Sequence, residues 1–129
     1  MTIKLLYVDD NPLMLEGFAA LLAGSNIDLL VAENGHEGVA MATRVLPDVV
    51  LTDVRLPDID GIEVMMRLRH NPQTAHIPVV MITGHISQRT RNYAERMGCN
   101  GYLIKPVNMP GLLTTLQPLV GEPLLIPEN

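Results

Sequence analysis

Short apolar runs alternate with stretches of helical periodicity along the whole chain. The runs are Ile3 to Val8, Asp28 to Ala32, Val49 to Thr52, Ile77 to Thr83 and Gly101 to Ile104. Several are apolar at nearly every position, the pattern of strands covered on both faces. Helix-start signals stand between them. Asn11-Pro12 supplies a cap and a first-turn proline ahead of Leu13, Leu15, Phe18, Leu21 and Leu22. Asn34 with Glu37, and Asp60 with Glu63, have capping-box spacing before further apolar positions. Ser87 to Met97 reads as a fourth, more polar helix, and Asn108 caps a fifth carrying Leu112, Leu113 and Leu116. Pro118 should stop or kink that helix near Gln117, with an extended segment from Gly121 onward. Five strand–helix repeats predict an α/β fold with a doubly wound parallel sheet. We expect the domain to occupy residues 1–120, and residues 121–129 to be a C-terminal tail or the start of a linker.

Composition narrows the class. A chain of 129 residues suits one core, and 47% hydrophobic content is enough to fold it. A net charge of −5 argues against a nucleic-acid surface. The single cysteine, Cys99, has no internal partner, and no signal peptide or membrane-length apolar run is present. The expectation is a soluble, cytoplasmic protein.

Chemistry concentrates at the strand ends. Asp9 and Asp10 follow the first run, and Asp53 follows the third. In the five-stranded order 2-1-3-4-5 these two strands are neighbours flanking the switch point, where ligands bind beyond the carboxyl ends. Two carboxylates about 4 Å apart cost ~4 kcal/mol at an effective dielectric of ~20, so the cluster calls for a hard divalent cation. Thr83 and Lys105 end two further runs and turn the cluster into a site suited to phosphoryl transfer. His36, His70 and His76 have no ligand spacing, and His85 reads as a loop histidine near the site rim.

Val8-Asp9-Asp10-Asn11-Pro12, Asp53 through Gly61, Ile82-Thr83-Gly84 and Lys105-Pro106 together resemble the receiver domain of two-component response regulators, over roughly residues 3 to 117. The resemblance implies a flavodoxin-like five-stranded sheet with five helices. It implies Asp53 as phosphoacceptor, with Mg2+ held by Asp9, Asp10, Asp53 and the backbone carbonyl of Arg55. Lys105 would pair with Asp53 and later with phosphate, directed inward by a cis bond to Pro106. Thr83 would donate to the phosphate and, with Tyr102, form a switch acting on the surface of the fourth helix, fifth strand and fifth helix. The implied partners are a sensor histidine kinase or phosphotransfer protein, and a downstream effector or fused output domain. Direct contact with nucleic acid or membrane is not expected of this segment. Among receivers that dimerise through salt bridges, the last helix carries acids and bases; here it offers Thr114, Thr115 and Gln117, which argues against that dimer.

Other readings fail on particular residues. A flavin carrier wants a hydroxyl- and glycine-rich loop where this chain has acids, and more aromatics than 3%. An aspartate phosphohydrolase needs a second acid where Arg55 stands. No enzyme is therefore expected beyond self-phosphorylation from a donor and slow autodephosphorylation. The remaining alternative is a receiver-like interaction module that works without phosphorylation, although such modules typically lack one of the residues present here.

Overall fold

The computed structural model describes residues 2–84 and 87–126. Strands β1 (Ile3–Val8), β2 (Ile27–Ala32), β3 (Val49–Asp53), β4 (Val79–Thr83) and β5 (Gly101–Ile104) alternate with helices α1 (Pro12–Leu22), α2 (Gly35–Val45), α3 (Gly61–His70), α4 (Gln88–Arg96) and α5 (Met109–Leu116). All strand pairs are parallel, in the order β2-β1-β3-β4-β5. His85 lies outside the described residues.

Alternation along the buried strands builds two cores. Leu5, Tyr7, Val49, Leu51, Val80 and Ile82 meet Phe18 and Leu22 of α1 and Leu112 and Leu116 of α5. Leu6, Val8, Val50, Val79 and Met81 meet Ala42 of α2, Val64, Met65 and Leu68 of α3, and Ala94 of α4. Each strand residue thus sends its side chain to one helical layer and its neighbour to the other.

Boundaries depart from the sequence reading by small, explicable amounts. β4 begins at Val79, because Pro78 has no N–H for the ladder and Asn100 Oδ1 accepts from Val79 N at 2.9 Å. Ser87 and Met97 are the caps of α4, not its first and last residues. The capping pairs are only half reciprocal. Asn34 Oδ1 and Asp60 Oδ1 accept from Glu37 N and Glu63 N at 2.8 Å, as the spacing predicts. Glu37 reaches back to Glu33 N at 3.3 Å, one residue beyond the cap, and Glu63 pairs forward with Arg67. Pro118 converts the end of α5 into a 3-10 turn over Gln117–Leu119.

The segment after that turn folds back on the domain. Val120 and Leu124 pack on the α1/α5 core. Asn26, before β2, accepts from Leu125 N at 2.7 Å through Oδ1 and donates to Pro123 O at 2.9 Å through Nδ2. Its own N–H donates to Leu125 O at 3.1 Å.

Candidate functional site

The carboxyl ends of β1 and β3 stand side by side, with Val8 paired to Thr52. This register brings Asp9, Asp10 and Asp53 together, and one oxygen from each lies within 4.8 Å of the others. Asp9 and Asp53 are buried, whereas Asp10 faces solvent. Lys105 follows the end of β5 and is joined to Pro106 by a cis peptide bond. Its Nζ donates to Asp53 Oδ2 at 2.7 Å and to Asp9 Oδ2 at 3.2 Å. Burial alone would lower the lysine pKa; the two carboxylates, Asp53 foremost, reverse this and raise it.

Asp9 is a heavily committed side chain. Oδ2 also accepts from the Tyr7 hydroxyl, and Oδ1 accepts from Asn11 N at 2.9 Å. Burial pushes the Tyr7 phenol upward, and the hydrogen bond to Asp9 and the charges of Asp9 and Asp53 push it the same way. Its ring is fixed against Phe18 of α1, with centroids 4.4 Å apart. Asp53 has Oδ1 on Arg55 N at 3.1 Å, which turns the chain sharply after β3. Gly61 lets that turn close: a Cβ there would collide with the carbonyl oxygen of Asp53.

Thr83 ends β4 beside this cluster, nearly buried, and its carbonyl accepts from Lys105 N at 2.8 Å. Tyr102, opposite Met81 in the ladder, is turned toward α4. Its hydroxyl donates to Arg91 O at 3.1 Å, and the Arg91 guanidinium lies 5.1 Å from its ring centroid. Burial, with smaller contributions from Cys99 and Glu95, pushes this phenol up to about 12.

The sequence-selected acids and the lysine therefore converge, with Thr83 at the adjoining strand end and Tyr102 on the flank. Tyr7 and Asp58 escaped sequence reasoning. Tyr7 looked like one more apolar strand position; its place two residues before Asp9, on the same strand face, was the available signal. Among the described residues the acidic trio is the one group with metal-ligand geometry. Three hard oxygen donors in this space fit a magnesium ion, which takes oxygen ligands and retains water in its shell.

Comparisons agree with this geometry. Residues 5–117 match the response regulator receiver domain, and the chain belongs to that family. It is 34% identical to protein PilH of Pseudomonas aeruginosa over 118 residues, 92% of this chain and 98% of that protein. It is 29% identical to the polar-differentiation response regulator DivK of Brucella ovis, over 95% of this chain and 99% of the relative. Chemotaxis protein CheY4 of Vibrio cholerae superposes with a TM-score of 0.84 at 30% identity, covering 93% of this chain and all of that one. The receiver domain of a Pseudomonas aeruginosa sensor histidine kinase, with a magnesium ion coordinated in its active site cleft, gives 0.85 at 28% identity, covering 95% of this chain and 100% of that one. The chain is accordingly a receiver domain of the two-component signalling class and not a classical enzyme, and among the described residues no helix is long and apolar enough to cross a membrane.

Proposed function

We propose that this receiver takes a phosphoryl group on Asp53 from a phosphohistidine donor, in a Mg2+-dependent reaction. The observation that carries the reading is the convergence of three carboxylates and one lysine, with Lys105 Nζ 2.7 Å from Asp53. A carboxylate oxygen of Asp53 forms the new P–O bond while the P–N bond to the donor breaks, leaving the donor's imidazole and an acyl phosphate. Lys105 then transfers its charge–charge contact from Asp53 to a phosphoryl oxygen. Bound magnesium would offset the repulsion between an anionic donor and the acids.

Asp10 is the side chain with oxygens free to hold the ion directly. Asp9 already accepts three hydrogen bonds, which favours contact through water. Asp53 and the carbonyl of Arg55 complete the donor set. Thr83 donates to the phosphate, and Tyr102 exchanges its bond to Arg91 for a more inward position, biasing the α4–β5–α5 surface read by an effector. Hydrolysis of the acyl phosphate is slow and returns the resting state. The work is done in the cytoplasm, on residues 1–120, with residues 121–129 as tail or linker.

Intact-mass analysis after incubation with acetyl phosphate tests the reading. The wild type should gain one phosphoryl group with Mg2+ and none with EDTA, and Asp53→Asn should gain none. An unmodified wild type in Mg2+ would instead favour an interaction module that works without phosphorylation.

A further inference from the structure

Asp58 lies in the loop between β3 and α3, away from the carboxylate cluster, and its bonds reach across the molecule. Oδ1 accepts from Gly35 N at 2.7 Å and Oδ2 from His36 N at 2.8 Å. These are the first amides of α2, which no intrahelical bond can satisfy. Asn34 takes the next, Glu37 N. The cap on α2 is therefore shared between a local residue and one from a distant loop.

The contact is close and electrostatically favourable. Ile59 lies over Gly35 so tightly that a Cβ there would strike its side chain and come within 2.8 Å of its carbonyl oxygen. Burial by itself would raise the Asp58 carboxyl, but backbone N–H groups, His36 and Gly35 foremost, bring it down to about 2. The side chain is thus charged wherever the protein works, facing the positive end of a helix.

This contact links the two halves of the acidic site. The first turn of α2 rests on β1, since a Cβ at Gly38 would come within 2.8 Å of the Val8 side chain. Val8 immediately precedes Asp9 and Asp10. The loop's far end is closed by Gly61 N on Val54 O at 2.9 Å. The backbone of Arg55 therefore lies between two anchors, one of them Asp58.

We propose that Asp58 is a positioning residue for the divalent cation: it pins loop 54–60 to α2 and so fixes the Arg55 carbonyl relative to the acids of β1. The proposal rests on the reading above that this carbonyl joins the donor set. Magnesium demands near-octahedral geometry, so one displaced oxygen weakens binding. Groups that orient ligands without touching the metal typically govern 10–100-fold in affinity.

The test is calorimetric titration of Mg2+ into the full chain, with no phosphodonor present. Asp58→Ala should weaken Mg2+ about tenfold. Asn34→Ala removes a cap from the same helix end without touching the loop. It should lower Tm similarly yet leave Mg2+ affinity within about twofold of wild type. Asp58→Asn, which keeps one acceptor oxygen, should fall between and covers the case of an Ala variant that fails to fold. Equal weakening by Asn34→Ala and the Asp58 variants, or none by either, would overturn the proposal. A chain whose Mg2+ binding depends on Asp58 but which never takes phosphate would sink the proposed function and leave this inference standing.

Discussion

Replacing Asp10 with asparagine should make the metal-free protein more stable. Asp10 is exposed, and its side chain forms no hydrogen bond or ion pair among the described residues. Asp10→Asn therefore removes mainly repulsion from Asp9 and Asp53, one oxygen of each lying within 4.8 Å. In a water-like dielectric that separation costs about 0.9 kcal/mol per pair, or ~1.7 kcal/mol for two partners. Salt screening and the lost attraction to Lys105 reduce the net gain to about 1 kcal/mol. For a domain of this size Tm should rise by roughly 3–5 °C. The assay is thermal unfolding followed by circular dichroism, in EDTA at low ionic strength. Added Mg2+ should then raise the wild-type Tm more than that of the variant, because only the wild type keeps the full ligand set. A variant at or below the wild-type Tm in EDTA would refute the claim that the cluster is held together against its own repulsion. Equal Mg2+ shifts would remove Asp10 from the ligand set.

Three further outcomes follow from the geometry. Lys105→Met should cost about 2 kcal/mol at neutral pH, because Asp9 and Asp53 lose their shared cation; the value is set below that of a fully buried pair because the lysine is partly exposed. The folded-state pKa of Lys105 is raised, so its contribution is complete below the unfolded value of about 10.4 and fades as pH rises through the higher folded value. Alkaline unfolding of the wild type should show that loss, and the variant should lack it. Gly61→Ala should cost about 3 kcal/mol in urea unfolding, since the added Cβ meets main chain at Asp53 that cannot step aside. Asn26→Ala should speed amide hydrogen exchange at Leu125 about tenfold while leaving Mg2+ affinity unchanged, because Asn26 holds the tail and the acids lie at the opposite ends of the strands.

What the chain discloses directly depends on how local the determining interactions are. Strands buried on both faces write themselves as runs such as Val49–Thr52, and a cap such as Asn11 acts only two residues on, accepting from Leu13 N at 3.0 Å. The repeat then implies a parallel doubly wound sheet, and the order β2-β1-β3-β4-β5 carries Asp9, Asp10 and Asp53 to one edge. Lys105 was legible through the resemblance, whose Lys-Pro pair implies a lysine turned inward; the residues around it would equally suit a surface lysine at a strand end. Asp58 and Asn26 are different. Their partners lie 22 to 99 positions away along the chain, and nothing around either residue indicates which amides will be presented to it. Arg69 makes the same point: it donates to Ile77 O at 2.6 Å, Gly98 O at 3.0 Å and Asn100 Oδ1 at 2.9 Å, tying three segments that only the finished fold brings together. Tyr102 was legible as an aromatic flanking the site, but its bond to Arg91 O depends on where α4 docks.

Mapping the modified residue tests the central claim most directly. The protein is incubated with acetyl phosphate and Mg2+, the acyl phosphate is reduced with borohydride, and the peptides are sequenced by mass spectrometry. The modification should fall on Asp53 alone and disappear when Mg2+ is chelated. Modification at Asp9, Asp10 or a histidine, or at Asp53 regardless of metal, would contradict the account.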